Sequence, residues 1–246
     1  MNPLDLTTSL TGRSVVVTGA SGGIGSRIVM ALATSGTQVV GVDLPGHPIP
    51  EHEGITPVAA DLTDLATHAG LFGQAAARAP LVGLVHTAAI IRRTEIDLVT
   101  EAEFDAQVAV NLKASYFLNR EAWRALRGHG GSIVNYISQG WMTGGYQGST
   151  VYAATKGALA SMTRGFARSF APDQVRVNAV SPGFIDTEMM HAGISAHDRD
   201  QITTQVPLGR LGQPEELVGA TTFLLSDAAS YITGAVINVS GGQLMY

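Results

Sequence analysis

The sequence predicts an α/β protein: a single domain in which a doubly wound parallel sheet of about seven strands carries helices on both faces. Three observations lead there. Short β-branched apolar runs alternate with longer amphipathic stretches, the order in which strands and crossover helices build a parallel sheet. Most of these runs are apolar on both faces, as strands covered by helices on either side must be. And the 246 residues, 45% hydrophobic and 14% charged, suffice for one large core, with no repeat, low-complexity segment or linker-like break in composition.

The strands are expected at Ser14 to Thr18 (SVVVT), Gln38 to Val42, Thr56 to Ala60, Leu81 to His86, Ser132 to Ile137, Val175 to Val180 and Ala235 to Val239. Helical patterns fall between them, at about 23–35, 64–79, 101–127, 151–171 and 214–225. Pro45 to Glu53 reads as a loop. So does Glu188 to Val206, a polar stretch placed to act as a lid over a substrate.

Composition excludes several classes of function. The net charge of -5 and the lack of a basic stripe argue against nucleic acid as a partner. There is no cysteine, hence no disulfide or thiolate metal site, which suits a reducing compartment. The seven histidines are scattered, with only His191 and His197 loosely at ligand spacing, so no metal is expected. Met1 to Gly12 lacks a basic segment followed by an apolar one, and no apolar run approaches the ~20 residues needed to span a bilayer. A cytoplasmic protein with no membrane partner is the expectation.

Thr18-Gly19-Ala20-Ser21-Gly22-Gly23-Ile24-Gly25 follows the first strand and opens the first helix. Glycines there permit a tight turn and a close backbone approach to a pyrophosphate, whose charge the helix N-terminus favours. The spacing is G-x-x-x-G-x-G, not the commoner G-x-G-x-x-G. Asp43 strengthens the reading. It ends the second strand at about the distance expected of an acid that accepts hydrogen bonds from a ribose. A carboxylate there repels the 2′-phosphate of NADP, and the following Leu44, Pro45 and Gly46 offer no cation, so NAD is the expected cofactor. Gly19 to Gly23 also fits G-x-S-x-G, the nucleophile elbow of serine hydrolases. Chain order opposes that reading: the last histidine is His197, and the loop follows the first strand.

Tyr152 and Lys156 stand four residues apart at the start of the helix after the fifth strand, so both can face one cleft. A phenol ionises near pH 10, and a fixed cation beside it is expected to bring it toward the working range. Alone, Y-x-x-x-K is equally a solvated helix face. Ser138, at the C-terminal end of the fifth strand, could hold a substrate oxygen beside the phenol. Asn111 lies in an otherwise apolar helical stretch, where a buried amide must find partners.

These motifs together resemble the short-chain dehydrogenase/reductase family, in its form of roughly 250 residues built on a Rossmann sheet. The matching segments run from Gly12 to Gly242: the loop at 18–25, Asp43, Asp61-Leu62, Asn111, Ser138, Tyr152 with Lys156, Ser181-Pro182-Gly183 with Thr187, and Gly209 to Glu216. The resemblance implies that Tyr152 is the general acid/base and that Ser138 orients the substrate oxygen. Lys156 would lower the phenol's pKa and bind the nicotinamide ribose, and Asn111 would hold a water linking Lys156 to solvent. It implies a cofactor cradle of Gly19, Ser21, Gly22, Gly23, Ile24 and Gly25, with Asp61 and Leu62 by the adenine and Ala88 also on the cofactor. Pro182, Gly183, Ile185 and Thr187 would bound the nicotinamide. The activity implied is interconversion of a secondary alcohol and a ketone. A 3-oxoacyl-thioester reductase using NADH and a non-catalytic cofactor sensor are the alternatives. A homotetramer is the family's habit.

Two departures stand out. His86-Thr87-Ala88-Ala89 replaces the family's Asn-Asn-Ala-Gly, and Ala89 adds a methyl where backbone should pass close to the cofactor. Ser240 stands where relatives carry an acid. The substrate pocket is expected to be partly apolar, walled by Trp141, Met142 and Tyr146 on one side and by Phe184, Met189, Met190 and His191 on the other. Arg92-Arg93 could attract an acidic substrate, although an exposed or packing arginine is the plainer reading.

Overall fold

The computed structural model describes residues 6, 9–192 and 194–246. Its sheet has seven strands, all parallel, in the order β3-β2-β1-β4-β5-β6-β7. They are β1 (Ser14–Thr18), β2 (Gln38–Asp43), β3 (Ile55–Ala59), β4 (Leu81–His86), β5 (Gly131–Tyr136), β6 (Val175–Pro182) and β7 (Val236–Val239). Strand order reverses between β1 and β4, so the crevice that doubly wound sheets use for ligands opens at the C-terminal ends of these two strands.

The valine runs become strands because both of their faces find cover. In β1, Val15 and Val17 point into one apolar layer and Val16 into the other, all fully buried. Ile28, Val29 and Leu32 of α1 (Gly23–Thr34) and Leu224 and Leu225 of a C-terminal helix pack the first layer. Leu71 and Phe72 of α2 (His68–Arg78) pack the second, with residues of two helices described next.

The expected helix 101–127 is three pieces: α3 (Glu101–Val108), a π-helical turn (Ala109–Ala114) and α4 (Ser115–Leu126). Thr100 and Glu103 form a capping box that starts α3. A short α5 (Gly140–Thr143) precedes the long α6 (Thr150–Phe170). Leu118 and Ala122 of α4 and Phe166 of α6 complete the second layer.

The segment expected as a loop, 188–206, holds two helices, α7 (Glu188–His191) and α8 (Ala196–Thr204). Each begins at a hydroxyl cap, where Thr187 accepts from Met190 N and Ser195 from Asp198 N. α8 hides few apolar side chains, Ile202 among them, so it carries no apolar stripe to read in the sequence. Position 193 of this segment, expected to act as a lid, lies outside the described residues. The helical stretch at 214–225 is a 3-10 turn (Pro214–Leu217) running into α9 (Val218–Leu225). Among the described residues no helix is long and apolar enough to cross a membrane.

Candidate active site

A cleft of about 730 Å³ runs along the C-terminal ends of the strands, lined from Gly19 and Asp43 at one end to Tyr146 and Met190 at the other. Its first end is built from absent side chains. Gly19 holds a left-handed φ of 69°, and a Cβ on it would lie 2.8 Å from the Ala88 nitrogen. A Cβ on Gly25 would lie 2.0 Å from the Gly19 carbonyl oxygen. The loop therefore folds back on itself with only backbone at its centre. The first turn of α1 has neither a side-chain cap nor an acidic residue, so its N–H groups have no charged protein partner. Such a cradle fits a pyrophosphate.

Asp43 closes this end. Its Oδ2 accepts from Ser21 N at 2.9 Å and from Ser21 Oγ at 2.5 Å, and its Oδ1 from Leu44 N at 2.8 Å. Asp61 accepts from Thr63 N and Thr63 Oγ1 through Oδ1 alone. Both line the cleft together with Leu62 and Ala88. Pro182, Gly183, Ile185 and Thr187 line its middle, where a Cβ on Gly23 would meet the Thr187 methyl at 2.8 Å.

Tyr152 sits in the first turn of α6, and Lys156 one turn on is buried beside it, with Nζ 5.6 Å from the phenol ring centre. Lys156 Nζ donates to the Tyr136 carbonyl at 2.8 Å. Ser138 lies two residues beyond β5 and hydrogen-bonds the phenol. The sequence brings these three together because β5 and α6 are joined by a short segment that folds back through α5. Burial then alters the expected electrostatics. It pushes the Tyr152 phenol up to about 12, against the lowering effects of Ser138 and the Arg93 charge. It also brings the Lys156 ammonium down to about 7. The expected net lowering of the phenol by Lys156 is absent, because desolvation acts on both groups and outweighs attraction.

Asn111 lies in the π turn, fully buried. Its Oδ1 accepts from Ile90 N at 2.8 Å, and its Nδ2 donates to Ile90 O at 2.8 Å and Thr155 Oγ1 at 3.3 Å. The side chain is thus a tie between the loop after β4, the π turn and α6. The Asn111 main-chain carbonyl accepts from Ser115 Oγ at 2.8 Å. Ser115 Oγ must then accept from His86 Nε2, 2.7 Å away, so His86 carries its proton on Nε2 and its Nδ1 accepts from Thr18 Oγ1 at 2.7 Å. Burial first, and then the charges of Lys156 and His68, bring His86 down to about 3, so the imidazole is neutral at physiological pH. This chain, Thr18–His86–Ser115–Asn111, was not legible in the sequence beyond His86's being an unusual residue.

At the far end the cleft is walled by Tyr146, Phe184, Met189 and Met190, as expected. Trp141, Met142 and His191 are not in the wall. Trp141 packs edge-on against Tyr246, Met142 is half exposed, and His191 Nε2 bonds Asp186 Oδ1 at 2.6 Å. Arg93, read as a packing or exposed residue, lines the cleft instead, while Arg92 is exposed.

A family model described as enoyl-(acyl carrier protein) reductase matches residues 19–243. A solved short-chain dehydrogenase/reductase from Brucella melitensis, titled glucose/ribitol dehydrogenase, superposes with a TM-score of 0.88 at 34% identity, over 97% of this chain and 99% of that one. The chain belongs to the short-chain dehydrogenase/reductase family. A 2-dehydro-3-deoxy-D-gluconate 5-dehydrogenase of Dickeya dadantii is 33% identical over 97% of this chain and 98% of its own length. A structure described as a putative NAD(P) dependent gluconate 5-dehydrogenase from Beutenbergia cavernae, with bound NADP, has a TM-score of 0.85 at 34% identity, covering 96% of this chain and 98% of that one. As a short-chain dehydrogenase/reductase, the protein is an oxidoreductase of CH–OH groups that works with a nicotinamide cofactor.

Its departures from the family pattern are accommodated locally. Ala89 keeps a negative φ, so the backbone there does not require glycine. Thr87 Oγ1 donates to the Thr18 carbonyl at 2.6 Å and closes the gap between β1 and β4. Ser240 Oγ bonds the Leu244 carbonyl at 3.2 Å, and its Cα would lie 2.7 Å from a Cβ on Gly183.

Proposed function

We propose that the protein interconverts a secondary alcohol and its ketone with NAD(H), and that Tyr152 moves the proton. One observation carries this reading. Tyr152, Ser138 and buried Lys156 meet at one point of a cleft whose other end is a side-chain-free cradle closed by a carboxylate. A bound nicotinamide would supply the hydride acceptor for the alcohol carbon in one direction and the hydride donor in the other. Gly19, Ser21, Gly22, Gly23, Ile24 and Gly25 hold the pyrophosphate, and Asp43 holds a ribose. Asp61 and Leu62 flank the adenine, Ala88 also lines the cofactor's path, and Pro182, Gly183, Ile185 and Thr187 bound the nicotinamide. NAD is favoured over NADP because Asp43 repels a 2′-phosphate and the lining beside it (Leu44, His47, Ala60, Asp61, Thr63) contains no lysine or arginine.

Ser138 donates to the substrate oxygen and sets it against the phenol. In reduction the protonated phenol gives its proton to the developing alkoxide. In oxidation Tyr152 must first lose that proton, and Lys156, with a pKa of about 7, can accept and release one near neutral pH. Asn111 would hold the water through which Lys156 exchanges with solvent. NAD points to oxidation as the cellular direction.

Tyr152→Phe tests the assignment. It should bind NADH within about threefold of wild type while turnover falls by roughly 10² to 10⁴. Substantial retained activity would sink it. A second reading, reduction of a 3-oxoacyl thioester with NADH, is supported by a relative from Rickettsia felis described as a 3-oxoacyl-[acyl-carrier-protein] reductase, 35% identical over 96% of this chain and 98% of its own length. A homotetramer in the cytoplasm completes the proposal. Phe104 and Tyr116, half exposed on α3 and α4, offer apolar surface to a second copy, and a cysteine-free chain suits a reducing compartment.

A further inference from the structure

Arg93 is a half-buried cation that no carboxylate neutralises among the described residues. Its Nη1 donates to two main-chain carbonyls at the lid, Met189 O at 3.2 Å and Ala192 O at 2.5 Å. Its Nε is buried with no partner. Carbonyl dipoles on one edge leave the charge uncompensated and the Nε edge unsatisfied, an arrangement that costs free energy unless something completes it. The guanidinium lines the same cleft as Tyr152, close enough for its charge to act on the phenol. Lys156 is the other cation of this lining, and its ammonium already donates to Tyr136 O.

We infer that Arg93 is a specificity residue that receives a carboxylate of the substrate, so the alcohol oxidised is part of a hydroxy acid. The inference rests on the alcohol/ketone reading above and names its substrate class. A guanidinium offers parallel N–H donors along one edge, which match a planar carboxylate. One unpaired cation, with Glu188 lining the same cleft, suits a single negative charge better than a phosphate dianion. The Met189 and Ala192 carbonyls hold Arg93 in place, and the substrate's carboxylate satisfies the Nε edge.

The test uses polyhydroxy acids paired with the neutral alditol of the same carbon chain: D-gluconate with D-glucitol, D-galactonate with galactitol, and D-xylonate with xylitol. Each is titrated into the enzyme–NADH complex and followed by NADH fluorescence, and each is assayed for oxidation with NAD. At least one acid should bind tenfold or more tightly than its alditol. Arg93→Gln should erase that difference while leaving the alditol's Kd and the Kd of NADH within threefold, and Arg93→Lys should restore part of it. The inference is overturned if no acid outbinds its partner. It is equally overturned if Arg93→Gln weakens acid and alditol alike, the mark of a lid tie, or if D-glucitol 6-phosphate binds more tightly than every acid. Failure of the underlying reading looks different: Tyr152→Phe would keep its turnover whatever the carboxylate preference.

Discussion

Replacing Gly25 with alanine adds one methyl group at the tightest point of the cofactor cradle. That carbon would stand 2.0 Å from the Gly19 carbonyl oxygen, whereas ordinary contact begins at 3.4 Å. The carbonyl cannot turn away, because it already accepts from Gly22 N at 3.1 Å and its residue is wedged against Thr87 and Ala88. The first turn of α1 must therefore shift by roughly 1.4 Å, and misplacement of about 1 Å at a reacting centre costs on the order of 10²-fold. NADH titration by fluorescence should show a Kd raised about 100-fold, with kcat/KM falling in parallel and circular dichroism unchanged. Gly70→Ala is the control. Gly70 lies within α2 with nothing within 4 Å of its would-be Cβ, so the change should stabilise the protein by roughly 0.5–1 kcal/mol and leave binding alone. A folded Gly25→Ala that binds NADH within threefold of wild type would refute the cradle.

His86 gives a prediction on pH. Because its folded pKa of about 3 lies below the 6.5 of the free side chain, the unfolded chain binds this proton in a window where the folded chain refuses it. Its contribution to stability is therefore complete above pH 6.5 and is lost as pH falls toward 3. In His86→Asn the urea midpoint should fall less between neutral and mildly acidic buffer than in wild type; parallel falls would contradict the assignment. Asp43→Asn removes the charge facing a 2′-phosphate while keeping an acceptor for Ser21. The ratio of kcat/KM for NADP to that for NAD should rise at least tenfold, and an unchanged ratio would remove Asp43 from cofactor choice.

The sheet was legible because each strand announces itself locally: Val15, Val16 and Val17 face alternate apolar layers, and only a strand covered on both sides tolerates that. The positions of Gly19, Asp43, Ser138, Tyr152 and Lys156 were legible for a related reason, since each sits by a strand end or in the first two turns of a helix. What local sequence did not carry is set by long-range neighbours. Val110-Asn111-Leu112 reads as ordinary helix, and the π turn accompanies ties from Asn111 to Ile90 and Thr155. The direction of the phenol's pKa depends on how deeply α6 is covered, which spacing to a lysine does not reveal. Arg93 reads as a turn residue until Met189 and Ala192, far along the chain, supply its two carbonyls.

The buried chain from Thr18 through His86 and Ser115 to Asn111 works as a spacing gauge. Thr18 ends the strand that carries the phosphate cradle, and Asn111 is fastened to the helix that carries Tyr152, so the imidazole fixes the separation of the two ends of the cleft. A shorter asparagine cannot span both gaps, and exchanging any one member strands a donor or acceptor where water is excluded. These positions will accept change only in matched sets. Redesign of this cleft should vary Thr18, His86 and Ser115 together, as one part of fixed length.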